Sequence, residues 1–241
     1  MKRAVHTAAC AVLALLVTAG CGTTPGQVPV DAMMANVSSV PKAPGADDVD
    51  GLPPGRVEAL LISDDDVSRI VGLPMHGLGL WQMPGPVSAL RDRDDCRVLT
   101  VSDQDFWTVD FTAYRETAQQ DSDEVNFYAW QGVGAYPNSR TASQVFRRAI
   151  NADLQARCRT AVLSSDTDDN AMWRVDSLTT TNSTLSVLVS QQLDGQATGW
   201  RCATQLRLRR NVIHRDGACQ AGNPSTTARQ LADMTSDRIG G

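Results

Sequence analysis

Histidine and aromatic residues are scarce in this chain of 241 residues: there are three histidines, and Phe, Trp and Tyr together make up 5%. A Ser-His-Asp or Cys-His nucleophile needs a base beside it, and a metalloenzyme usually needs several imidazole, thiolate or carboxylate ligands. Outside the N-terminal segment only His76 and His214 remain, far apart in sequence. Each reads as a packing or solvent residue, so no catalytic residue, metal site or cofactor is expected. No G-x-S-x-G, P-loop or H-E-x-x-H motif occurs, and no repeat recurs at a fixed period. An excess of basic residues is also lacking. With 22 Lys and Arg against 27 Asp and Glu, the net charge is -5, the wrong sign for a protein that neutralises nucleic-acid phosphates. The densest basic cluster, Arg207, Arg209 and Arg210, reads as the solvated edge of a strand or hairpin tip. Finally, no apolar run reaches the roughly 20 residues that cross a bilayer.

What is present begins at the N-terminus. Lys2 and Arg3 precede an apolar run from Ala8 to Ala19, which ends in Thr18-Ala19-Gly20-Cys21. A positive start, a short apolar core and small residues before a cleavage point make residues 1–20 a signal peptide. The cysteine after Ala-Gly resembles a bacterial lipobox, with Thr18 where Leu is commonest, so Cys21 is the expected lipidation site and mature N-terminus. Acyl chains on one cysteine anchor a domain stably, at roughly 0.8 kcal/mol per buried methylene. Processing there leaves 221 residues with 20 basic and 27 acidic side chains, a net charge of -7. Residues 22–55 carry six prolines with Gly, Ser and Asp and no apolar period. They read as a flexible linker spanning about 30 Å root-mean-square. Residues 56–241 are the folded domain.

Cys10 leaves with the signal peptide and Cys21 takes the lipid, so Cys96, Cys158, Cys202 and Cys219 remain. An even number in an exported domain implies disulfides. Four cysteines allow three pairings, and spacing alone does not choose among them. Residues 199–219 read as a hairpin, and if its turn centres on Arg210-Asn211, Cys202 lies opposite Cys219 on one face. Cross-strand Cβ atoms are then about 4.5 to 5.5 Å apart, near enough for a bridge after slight adjustment. That leaves Cys96 for Cys158. No pair has the C-x2-4-C spacing of structural zinc.

Along the domain, Ser63 caps a short helix whose first turn is Asp64-Asp65-Asp66, with Val67, Ile70 and Val71 on its apolar face and Gly72 and Pro74 ending it. His76 falls in a Gly-Pro-rich loop. Alternation of Trp107, Val109, Phe111 and Ala113 predicts a strand from Phe106, and a second runs from about Val125 to Ala135. Residues 141–158 read as one helix capped by Thr141. Strands follow over about 171–179, 184–192, 198–209 and 212–219, with turns at Asn182-Ser183 and Asp194-Gly195. A last helix, introduced by Asn223-Pro224-Ser225, packs Ala228, Leu231, Ala232 and Ile239. This order predicts an α+β domain built on an antiparallel sheet with flanking helices, two disulfides and room for a ligand cleft.

Asp166, Asp168 and Asn170 match the first alternating ligands of a calcium loop. Ala171 stands where the sharp turn needs Gly and Ser177 where a bidentate Glu is needed, so the segment reads as a solvated acidic turn. Paired carboxylates acting on cell-wall glycans are a minority reading, because their separation in space is invisible in sequence. Trp81, Trp130 and Trp173 are candidates for ligand contact, against the alternative that each fills the core.

Taken together, the Leu60-Leu61-Ile62-Ser63-Asp64 segment leading into a short helix, the Trp130-Gln131-x-Val133 stretch before a helix, and cysteines spaced 62, 44 and 17 apart resemble the PknH-type extracellular sensor domains of actinobacteria over about residues 56–240. The resemblance implies an α+β fold with a cleft for an unidentified extracytoplasmic ligand, and it implies bridges Cys96–Cys158 and Cys202–Cys219. Unlike the kinase members, this chain has neither a kinase domain nor a membrane span. The expectation is a non-enzymatic, lipid-anchored sensor-like domain on the outer face of the cell membrane, binding a small envelope-derived ligand or a partner protein. The rival from another class is an envelope interaction protein with no small ligand.

Overall fold

In a computed structural model, which describes residues 51–85, 93–100, 104–164 and 171–240, eight strands form one sheet. They are β1 (His76–Trp81), β2 (Ala113–Gln120), β3 (Phe127–Ala135), β4 (Val162–Ser164), β5 (Ala171–Thr180), β6 (Thr184–Leu193), β7 (Gln196–Arg209) and β8 (Val212–Ala221). The order is β1-β2-β3-β8-β7-β6-β5-β4, and every pairing is antiparallel. Helices α1 (Asp64–Val71), α2 (Gln104–Trp107), α3 (Ser139–Ala149), α4 (Ala152–Cys158) and α5 (Ser225–Gly240) flank it. Among the described residues no helix is long and apolar enough to cross a membrane.

The alternation of β8 explains the layering. Val212, His214, Asp216 and Ala218 face α5, while Ile213, Arg215, Gly217 and Cys219 face α3 and α4, because successive side chains on a strand point to opposite faces. On the α5 side, Ala228 and Leu231 close over Ala129, Ala203 and Ala218, and Ile239 packs with Val133 and Val212. On the other side, Trp107, Phe146, Leu154, Leu163, Leu185, Leu206 and Ile213 form the main core with both disulfides. Cys96 joins Cys158 with Cα atoms 5.7 Å apart, and Cys202 joins Cys219 at 4.0 Å. In the β7–β8 register Cys202 is the direct partner of Cys219, as the hairpin turn at Arg210-Asn211 requires.

Several local expectations are revised. Phe106 and Trp107 end a short helix instead of starting a strand. Thr108 takes a left-handed φ of 59°, Val109 is 92% exposed, and β2 starts only at Ala113. The helix expected over 141–158 is two helices, each capped by asparagine: Thr141 N–H donates to Asn138 Oδ1 at 2.9 Å, and Leu154 N–H donates to Asn151 Oδ1 at 3.0 Å. His76 begins strand β1, not a loop. Arg207 is no solvated edge residue: only 11% of its side chain is exposed, and it pairs with Asp233 at 2.7 Å. The fold also takes in Leu52, which is buried. Its N–H donates to Asn211 Oδ1 at 2.6 Å, and Asn211 Nδ2 donates back to Leu52 O at 3.2 Å.

Other expectations hold. Asp66 N–H donates to Ser63 Oγ at 3.2 Å, which makes Ser63 the cap of α1. The acidic triplet does more than start the helix: Asp64 accepts from Gly77 N–H at 2.9 Å, and Asp66 pairs with Arg238 of α5 at 2.9 Å.

Candidate functional site

On the α3 and α4 side of β2, β3 and β8, three glycines make room for aromatic rings. Gly132 and Gly134 share that face of β3. A Cβ on Gly132 would lie 3.2 Å from the Tyr114 hydroxyl oxygen and 3.3 Å from Trp107, and one on Gly134 would lie 3.0 Å from Trp107. Trp107 is therefore fully buried, edge-on to Tyr114 at 5.0 Å, and its carbonyl accepts from the Tyr136 hydroxyl at 2.9 Å. Gly217 is tighter still. It pairs with Trp130 across β3 and β8, and a Cβ there would sit 2.0 Å from the indole. The Trp130 indole fills the space above Gly217 where a side chain would stand and remains half-buried, with Tyr128 tilted beside it at 5.8 Å.

Glu116 adds charge to this surface. The register sets Glu116 opposite Gly132 and Gly132 opposite Arg215, so the two charged residues flank a position without a side chain. The Tyr114 hydroxyl donates to the Glu116 carboxylate. Burial pushes the Glu116 carboxyl above the usual range, opposed by that hydrogen bond and by the Arg215 charge. Burial, with the Glu116 charge second, also raises the Tyr128 phenol. One acceptor in a partly desolvated setting beside two half-buried rings suits a ligand that offers a hydrogen-bond donor next to an apolar face.

The two sequence motifs quoted above meet on the opposite side of β3. Ile62 N–H donates to Gln131 Oε1 at 2.8 Å, and Gln131 Nε2 donates to Ile62 O at 3.3 Å. A buried side-chain amide thereby stands in for a strand partner and fixes which face Trp130 presents.

Of the tryptophans considered from sequence, Trp130 belongs to this surface. Trp173 is half-buried and packs on the main core, while Trp81 is 44% exposed on β1 at the far edge of the sheet. His76 is exposed at the start of β1, and His214 is fully buried under α5. Carboxylates of the kind a hydrolase would pair are engaged by arginines: Asp95 with Arg93 at 3.1 Å, Asp105 with Arg97 at 3.0 Å, and Asp176 with Arg174 at 2.9 Å. Hydrogen bonding from Arg93, ahead of its charge, holds Asp95 below the usual carboxylate range. Asp95, Cys96 and Cys158 cluster closely, but both sulfurs are consumed by the disulfide and offer no thiolate to a metal. Cys21, the lipidation candidate, and Asp166, Asp168 and Asn170 lie outside the described residues.

Glu116 was missed in the sequence because its partners come from other strands. The alternate glycines of β3 were the available signal, since glycine inside a strand marks close approach of another group.

Residues 52–238 match the family model described as the PknH-like extracellular domain. Among solved structures, the crystal structure of the extracellular domain of PknH from Mycobacterium tuberculosis is similar in fold, with a TM-score of 0.69 at 20% identity, covering 79% of this chain and 97% of that one. Comparison with curated proteins finds no match.

Proposed function

Starting from the fact that the chain belongs to the PknH-like extracellular domain family, we propose that it is a lipid-anchored, extracytoplasmic sensor-like domain that binds a small envelope-derived ligand without turning it over. Cys21 carries the acyl chains, and the residues between it and the fold, 22–50, hold the domain off the membrane. The ligand seats against Trp130 and Tyr128 with its donor on Glu116. The observation that carries this reading is the surface itself. A carboxyl raised by burial and two half-buried rings are held in place by glycines at 132 and 217. A purely structural core would have covered those rings, and a glycan hydrolase would need a second carboxylate about 5 to 10 Å away.

The test is native mass spectrometry of the full protein isolated from the envelope of its own host, beside Trp130→Ala and Glu116→Gln. An added mass that is lost on denaturation and absent from both variants supports the reading. A clean apo mass with no shift after incubation with envelope extract sinks it. Replacing Cys21 by Ser should abolish acylation and release the protein from the membrane fraction.

A second reading, a protein-interaction role, is favoured by β1. Of the large apolar side chains most exposed among the described residues, Leu73, Leu78, Leu80, Trp81 and Met83 lie within one short segment. No Asp, Glu, Lys or Arg occurs from Gly72 to Leu90. Such an unguarded edge strand suits a protein partner. Crosslinking from Leu78 in intact cells should then return one reproducible partner; a lone monomer removes this reading.

A further inference from the structure

On the α5 face of the sheet, away from the surface just described, three side chains line up in the order that activates a serine. His214 and Asp216 are two apart on β8, so both point at α5, and both are fully buried. His214 Nδ1 lies 2.6 Å from Asp216 Oδ2, and His214 Nε2 lies 3.0 Å from Ser236 Oγ. The other carboxylate oxygen accepts from Thr235 Oγ1 at 2.8 Å. A carboxylate only accepts, which puts the imidazole proton on Nδ1 and leaves Nε2 to take the Ser236 hydroxyl hydrogen. Arg207 Nη1 donates to Ser236 Oγ at 3.3 Å. The chain thus runs Arg207 to Ser236 to His214 to Asp216, with Thr235 orienting the acid. Nucleophile, base and orienting group are each within hydrogen-bond reach of the next.

Ser236 is half-buried and lines a cavity of about 570 Å³ with Leu208, Arg209, Arg210, Asp237 and Ile239. The cavity wall is more polar than apolar: Arg209 and Arg210 bring positive charge suited to an anion, Asp237 brings one carboxylate, and Leu208 and Ile239 supply a small apolar part.

We propose that Ser236 is a nucleophile that accepts an acyl group from an activated donor with an anionic leaving group, such as a thioester or acyl phosphate. Ser236 Oγ forms the new bond to the carbonyl carbon, and His214 Nε2 takes the hydroxyl proton. The carbon–leaving-group bond then breaks, and the leaving group departs with its electron pair and takes the proton from the imidazolium, which returns His214 to its neutral form. Arg207 Nη1 stands beside Ser236 Oγ, the oxygen that gives up its proton as it attacks. His214 is fully buried, so it presents no exposed surface on which to activate a hydrolytic water, and the adduct persists. The outcome is a stoichiometric covalent capture, separate from the binding reading and independent of its success.

The full protein is treated with a fluorophosphonate and, separately, with aryl thioesters of a carboxylate-bearing and a neutral acyl group, and is followed by intact mass and peptide mapping. The expected result is one stable adduct on Ser236, none in Ser236→Ala, and labelling slowed about 100-fold or more in His214→Gln, as loss of a positioned base predicts. Asp216→Asn, which keeps the shape of the group that orients the imidazole and removes its charge, should also slow labelling and keeps the test decisive if the buried His214 variant does not fold. No adduct at Ser236, or a rate indifferent to both His214 and Asp216, overturns the proposal and leaves the network as a brace between α5 and β8.

Discussion

Replacing Gly217 by Ala tests the central packing feature of the candidate site. The added Cβ would fall 2.0 Å from Trp130 Cζ2, 2.3 Å from Cε2 and 2.5 Å from Cη2. Ordinary carbon contacts begin near 3.5 Å, so the indole must withdraw by more than an ångström. Trp130 is half-buried, and its way out leads to solvent, so the ring swings outward and the fold survives. Exposing roughly 100 Å² of aromatic surface costs about 2.5 kcal/mol at about 25 cal/mol per Å². Alanine is about 0.5–1 kcal/mol better than glycine inside a strand, which brings the net loss to about 2 kcal/mol.

The same substitution in a Trp130→Ala background has nothing to collide with. Only the gain in strand preference remains, so there it should stabilise by about 0.5–1 kcal/mol. The change of sign is the test, read by urea denaturation with circular dichroism for all four proteins of the cycle, which should give a coupling of roughly 2–3 kcal/mol. Tryptophan emission of the single Gly217→Ala variant should shift to the red. If Gly217→Ala costs the same in both backgrounds, the crowding comes from the backbone and the argument for a glycine-seated ring fails.

Three further outcomes follow from the same geometry. The folded-state pKa of Glu116 is raised by burial, so the native state holds a proton that the unfolded chain has lost, and stability falls as pH rises from about 4 through the raised value; Glu116→Gln should flatten that fall in denaturation curves taken across pH. Asn211 is 3% exposed and also donates to Tyr136 O at 2.7 Å; Asn211→Ala should cost about 1–3 kcal/mol and open the chain near Leu52 to proteolysis, whereas unchanged cleavage would count against its tethering role. Serine at both Cys96 and Cys158 should cost roughly 4 kcal/mol and at both Cys202 and Cys219 roughly 3, following loop length; non-reducing peptide mapping that joins Cys96 to either of the latter would contradict the fold.

Readability in the sequence depended on where each signal lay. The β7–β8 hairpin was legible because its turn, its alternation and its cysteines all sit within one short stretch, and the register Cys202–Cys219 follows from them. α5 was legible for the same reason: its apolar stripe is periodic and its start is marked by Asn223-Pro224. The segment around Trp107 misled because alternating large residues mimic a strand, while the deciding events are nonlocal. Trp107 drops into the space left by Gly132 and Gly134, and the turn it needs is made by Thr108 at positive φ. β1 was hidden for the opposite reason: it is exposed throughout, so burial stamped no period on it, and only pairing with β2 makes it a strand.

The candidate site shows the same division. Trp130 was visible as a residue of interest, but its meaning lies in Gly217 across the register and Glu116 on β2, which no local pattern announces. His214 and Asp216 could have been placed on one face from their spacing of two along a strand. What the spacing could not supply is α5, whose docking brings Ser236 to His214 Nε2 and Thr235 to Asp216. A chain with two histidines in its domain excludes a base only if neither finds a partner, and the partner here comes from a helix that begins after the strand has ended. Scarcity of a residue type therefore argues against chemistry only as far as the long-range contacts of the few that remain are known.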